Sequence, residues 1–143
     1  MELSFARFPE AFVRLRGRNG SVREYRALLH TGSDCSFVPK VDAYRLGYTE
    51  AAYTESLTTP PNLALLVTSH GYAEGAVVRM VEVTVGEFSI RDCEFVAHDI
   101  EQVAGYDVVL GLNILKSFNL NIDYEHRRFT LQKVGDENEN QAR

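Results

Sequence analysis

The chain is short of the residues that usually announce a chemistry. It has two cysteines, Cys35 and Cys93, in 143 residues. They give neither a disulfide framework nor the paired spacing of a zinc site, so both are read as reduced thiols in the interior. Basic charge is also scarce: 15 Lys and Arg stand against 20 Asp and Glu, a formal net charge of −5. That argues against a nucleic-acid partner, because phosphate binding needs a basic face. The arginines do gather early, at Arg14, Arg16, Arg18, Arg23 and Arg26, but spread over alternate strand positions they make a solvated face. No apolar run approaches the ~18 residues that span a bilayer, so no membrane partner is expected. The opening stretch MELSFARFPEAFVRLRGR carries acid and arginine and has no apolar core, unlike a secretory signal, and a cytoplasmic location is the expectation. Neither a repeat nor a linker interrupts the chain.

What remains is a sequence of strands. At this length, with 45% hydrophobic residues, one domain with a proper core is expected over residues 1–133. The polar tail 134–143, which includes GDENENQAR, is expected to be disordered. Phe12 to Arg16 alternates, Gly17-Arg18-Asn19-Gly20 supplies hairpin turn chemistry, and Val22 to Leu29 is the partner strand, apolar on both faces at 27-ALL-29. Cys35 to Val38 is a short apolar run, and Pro39 opens a helical turn closed by Gly47. Residues 49–62 read as irregular. Leu63 to Thr68 is a strand, 69-SHGYAEG-75 a mobile turn with two glycines, and Ala76 to Val85 and Phe88 to Ala97 a long hairpin reversed at Gly86-Glu87. Tyr106 to Leu110 is a buried strand broken by Gly111, and 112-LNILKSF-118 has the spacing of a short helix. Leu120 to Tyr124 and Arg128 to Gln132 close the chain as a hairpin. These elements make a small, mainly antiparallel β domain with one short helix near its C-terminus.

Two stretches, in this order, carry more than secondary structure. The segment 28-LLHTGSDCSFVP-39 resembles the active-site loop of retropepsin-like aspartic proteases: apolar, apolar, Asp-Thr-Gly-Ser. The segment 107-DVVLGLNIL-115 is similar to that family's second signature, two apolar residues and a glycine leading into a helix. The closing strands in 117-SFNLNIDYEHRRFTL-131 are similar too, and Gly71 falls at the place of the flap turn. The resemblance spans residues 12–132. It implies an all-β acid-protease fold, a closed barrel or half-barrel with one short C-terminal helix. Each motif occurs once, so it also implies a symmetric homodimer with one site on its axis. The implied partner is an extended peptide or protein substrate, without metal or cofactor. The implied catalytic positions are His30, Thr31 and Gly32, and the implied substrate-binding positions are Asp34, His70, Gly71 and Tyr72.

The one departure is His30, which stands where the family has its catalytic aspartate. Aspartic proteolysis needs two carboxylates sharing one proton; a homodimer of this chain would bring two imidazoles instead. A neutral imidazole can act as a base near pH 7, yet it is larger than a carboxylate, and the geometry that holds the attacking water is expected to be lost. Asp34 matches an acidic position the family uses for structure and substrate backbone; the residues alone read it as a loop hydrogen-bond acceptor. Asp107 and Asp123 read as turn and strand-end acids. Two His30 rings give two metal ligands where zinc takes three or four; His70 would have to complete the set, and no metal site is assigned. His98 and His126 carry no motif. The expectation is an aspartic endopeptidase of retropepsin type, inactive or impaired by His30, natural or introduced; the alternative is a peptide-binding pseudoprotease.

Overall fold

Alternation decides how the first hairpin buries itself. In the computed structural model, which describes residues 1–49, 63–68, 71–99 and 106–134, β2 (Glu10–Arg16) turns Ala11, Val13 and Leu15 inward and leaves Phe12, Arg14 and Arg16 exposed. It pairs antiparallel with β3 (Val22–Leu29), Val13 opposite Tyr25. The turn between them is closed by Gly20 N–H on the Gly17 carbonyl at 3.0 Å. Gly20 sits at φ +83°, a conformation that only glycine adopts without strain. The exposed arginines meet acids across the strands, Arg14 with Glu24 at 3.6 Å and Arg16 with Glu82 at 3.9 Å. They form the solvated face expected of them.

The remaining elements are β4 (Phe37–Val38), α1 (Lys40–Arg45), β5 (Leu63–Thr68), β6 (Gly71–Val85), β7 (Phe88–Ala97), β8 (Val108–Leu110), α2 (Leu112–Leu115), β9 (Phe118–Asp123) and β10 (Arg128–Lys133), with β1 (Glu2–Ser4) at the start. One sheet runs β2-β3-β8-β4-β7-β6-β5, and β2 also pairs with β6, Val13 opposite Val85. Six strands thus close into a barrel, which leaves those strands without open edges, and β5 extends the sheet along the first part of β6. The interior holds Val13, Leu15, Met80, Phe95 and Leu110, all without solvent contact. No helix among the described residues is long and apolar enough to cross a membrane.

A second sheet, β1-β10-β9, lies outside the barrel. Glu2 pairs with Thr130 and Ser4 with Arg128. The N-terminal amine of Met1 donates to the Leu131 carbonyl at 2.9 Å, and Leu131 N–H returns a bond to Met1 at 2.8 Å. Buried Phe5, Phe129 and Leu131 hold this sheet to the barrel core.

The helical turn expected after Pro39 forms as α1, and pairing is mainly antiparallel, as expected, with β3 parallel to β8 and β4 parallel to β7. Other expectations are corrected. The turn expected over 69–75 is much shorter, because Thr68 already pairs with Gly71 and the strand continues through Gly75. Gly75 serves close packing instead: a Cβ there would stand 2.9 Å from the Ala97 carbonyl oxygen of the neighbouring strand. Leu28 is only half-buried, so 27-ALL-29 is not covered on both faces. Strand β1 went unanticipated, since three residues of mixed polarity carry no period. The tail beyond residue 134, the stretch 50–62 expected to be irregular, and the positions 69–70 lie outside the described residues.

Candidate active site

The site begins where β3 ends. His30 N–H donates to the Leu110 carbonyl at 2.9 Å, continuing the parallel β3–β8 ladder by one rung. The chain then turns sharply, with Ser33 N–H on the His30 carbonyl at 3.2 Å. Inside this turn the Gly32 N–H donates to His30 Nδ1 at 3.1 Å. A side chain accepting from the amide two residues on is the geometry of an Asx turn, here made by an imidazole. Gly32 lies so close to the ring that a Cβ would stand 2.8 Å from Cε1. His30, Thr31 and Gly32 are all exposed.

The hydrogen bond fixes the ring's chemistry. A nitrogen that accepts from an amide has its lone pair in use, so the neutral ring carries its proton on Nε2. Nε2, then an N–H donor, has no partner among the described residues.

Behind the turn lies a polar lock. Ser36 is the buried polar side chain of the described core. Its hydroxyl donates to Asn113 Oδ1 at 2.6 Å and accepts from Gly111 N–H at 2.9 Å. Asn113 Nδ2 reaches on to the Glu94 carbonyl at 2.8 Å. Two further backbone bonds join the loop to the first turn of α2: Leu112 N–H to Ser33 at 2.7 Å and Asn113 N–H to Asp34 at 3.3 Å. Gly111 is compelled by this approach, since a Cβ would overlap the Cys35 carbonyl and lie 2.7 Å from that of Ser33. Gly111 stands out in the sequence, whereas Ser36 and Asn113 sit in short apolar runs and show no pattern of their own.

Beside the turn is a cavity of about 250 Å³ lined by Phe8, Pro9, Leu28, Leu29, His30, Thr31, Ile122 and Tyr124. It brings the loop against β9 and the segment before β2. Close by in sequence, Arg26 binds Glu10 through Nε at 2.8 Å and through its terminal nitrogen at 2.6 Å, and stacks 4.7 Å over the Tyr106 ring. Burial and the Glu10 carboxylate raise the Tyr106 hydroxyl, with Arg26 opposing.

Of the other expected positions, Asp34 follows the turn and is exposed. Gly71 and Tyr72 open β6, paired with Thr68 and Val67; His70 lies outside the described residues. Asp107 gives its N–H to the Arg26 carbonyl at 3.1 Å, a strand-end role as expected. In the β9–β10 turn, Asp123 accepts from His126 N–H at 3.1 Å and meets His126 Nδ1 at 2.7 Å. These bonds, the backbone one foremost, lower the Asp123 carboxyl below its ordinary value. Glu125 joins them in an exposed group whose ligand atoms lie within 4.8 Å, but the bonds present are those of a turn. Cys93 is buried, as expected of an interior thiol, whereas Cys35 is partly exposed.

Comparison with known proteins is consistent with this geometry. Residues 13–114 match the model of the aspartyl protease family. The fold is similar to a retropepsin-like aspartic protease from Rickettsia conorii, with a TM-score of 0.58 and 16% identity over 92% of this chain and 86% of that one. It is similar also to the retroviral protease-like domain of Ddi1 from Leishmania major, with a TM-score of 0.54 and 15% identity over 91% and 92%. No curated protein matches the sequence.

Proposed function

We propose, from the premise that this chain belongs to the aspartyl protease family, that two copies form one site for an extended peptide and that the His30 form holds peptide without cutting it. His30 takes the place of the catalytic aspartate, Thr31 and Gly32 shape the loop, and Asp34, His70, Gly71 and Tyr72 meet the peptide.

The observation that carries this reading is the bond from Gly32 N–H to His30 Nδ1. Aspartic proteolysis requires one group to take a proton from water while another gives one to the carbonyl oxygen. In the neutral ring Nδ1 is already engaged and Nε2 bears the proton, so neither nitrogen is placed to deprotonate a water. Two such rings supply donors twice and a base not at all.

A second reading, a protease disabled by a single substitution, is favoured by the intact frame around residue 30. Ser36 and Gly111 support the loop without touching residue 30. An aspartate at 30 would place Oδ1 where Nδ1 now accepts from Gly32, and it is smaller than imidazole, so overpacking is avoided. The deciding experiment sets this chain beside its His30→Asp variant on a panel of denatured proteins, with light scattering for assembly. Acid-favoured cleavage by His30→Asp alone identifies the disabled protease. A dimeric His30→Asp protein that cuts nothing between about pH 4 and 7, the range in which carboxylates titrate, identifies a binding module. Cleavage by both at similar rates would overturn the argument from the ring, and a chain that stays monomeric at high concentration would remove the shared site.

A further inference from the structure

The cavity beside the turn has an unusual wall for a family that works through carboxylates. Its apolar part is Phe8, Pro9, Leu28, Leu29 and Ile122, and His30, Thr31 and Tyr124 complete the described lining. No acidic side chain is among them. At about 250 Å³ it falls below the ~300 Å³ at which pockets begin to take drug-sized ligands, which suits one apolar side chain. Of the lining residues, His30 has Nδ1 turned to Gly32 and Nε2–H free of partners among the described residues, and Thr31 is exposed.

A largely apolar lining that includes a donor and, among the described residues, no carboxylate favours a particular ligand. We infer that the His30 loop recognises the free C-terminus of a peptide, with the last, apolar side chain in the cavity and the terminal carboxylate on His30 Nε2–H. The inference rests on the peptide-binding reading above and narrows it from peptides in general to chain ends. A hydrogen bond to an ionised acceptor is about twice as strong as one to a neutral carbonyl, so the free acid outbinds an internal or amidated residue. An aspartate at position 30 would present an oxygen in place of the N–H and repel the same group.

Two replacements separate the turn from the donor. Asparagine keeps both roles of the ring: Oδ1 accepts from Gly32 while the amide nitrogen donates outward. Aspartate keeps the first role and reverses the second. The experiment is calorimetric titration of the intact chain and of His30→Asn and His30→Asp with an N-acetylated hexapeptide ending in leucine, as free acid and as amide. We expect the free acid to bind the parent and His30→Asn about tenfold tighter than the amide, a difference of ~1.4 kcal/mol, and His30→Asp to lose or invert that preference. Nitrogen chemical shifts of His30 in the free protein should place the proton on Nε2. Equal affinity of acid and amide for the parent overturns the inference but leaves peptide binding standing. Binding of neither peptide overturns both, and a cavity whose resonances shift with protein concentration but not with peptide overturns the inference, assigning the cavity to the second copy. A proton found on Nδ1 overturns the donor assignment directly.

Discussion

The amide of Gly111 points at the hydroxyl of Ser36 from 2.9 Å away, across 75 residues of chain. This bond fastens the His30 loop to the start of α2. Every group in it is buried, so its partners cannot turn to water instead. Ser36→Ala should leave the Gly111 N–H and the Asn113 amide oxygen short of a partner and cost about 1–3 kcal/mol, read as a lower urea midpoint at unchanged m-value. Gly111→Ala should be worse, because the new methyl meets backbone carbonyls at Cys35 and Ser33 that cannot swing aside. A Gly111→Ala protein as stable as its parent would refute the close approach.

Arg26 is expected to matter through geometry more than through charge. It holds Glu10 with two nitrogens and lies over the Tyr106 ring, and a lysine reproduces neither the fork nor the stacking. The group is partly exposed, so the loss for Arg26→Ala should be modest, on the order of 1 kcal/mol. Arg26→Lys should recover less than half of it. Thermal melts of the two variants beside the parent decide the matter, and full recovery by lysine would show that charge alone counts.

Alkali should loosen the fold in a defined window. Burial, and then the Asp92 carboxylate, push the Cys93 thiol from its ordinary value of 9.0 up to about 11, with Arg79 opposing. The folded chain therefore keeps this proton where the unfolded chain gives it up. The stabilisation is complete below about pH 9 and is lost as pH rises toward about 11. Tyr25 acts in the same sense at higher pH, raised by burial and by Asp42, to which its hydroxyl donates at 3.2 Å. Denaturant midpoints measured from pH 8 to 11 should fall, and Cys93→Ala should flatten the first part of the fall. Iodoacetamide should alkylate Cys93 only when the chain unfolds.

Removal of residues 1–4 should uncover the edge of β10. Strand β1 pairs with β10 through Glu2, Leu3 and Ser4, and an Arg128–Glu2 bond at 3.1 Å reinforces it. The ion pair is exposed and contributes little; the strand's main effect is to cover backbone that would otherwise pair with another chain. The truncated protein is expected to fold, with lower stability, and to aggregate more readily on static light scattering. Identical behaviour with and without residues 1–4 would mean that the edge needs no cover.

Much of this fold was legible in the chain itself, because period and punctuation are local. The alternation of Phe12 to Arg16, the glycine turn after it, and the hairpin at Gly86-Glu87 follow from side-chain geometry two or three residues away. The order of two motifs around His30 and Gly111 was enough to indicate the family and its barrel. What the sequence could not decide were relations between distant residues. Gly75 looked like part of a turn and proved to be a strand residue pressed against Ala97. Ser36 and Asn113 looked like minor members of apolar runs, and they gained their role only when the barrel placed them 77 positions apart in sequence and 2.6 Å apart in space. The identity of residue 30 was plain from the start, but not which of its nitrogens faces outward. That depended on a turn tight enough to set the Gly32 amide against the ring, because a tautomer is chosen by the partner its nitrogen meets, and only the folded loop supplies one.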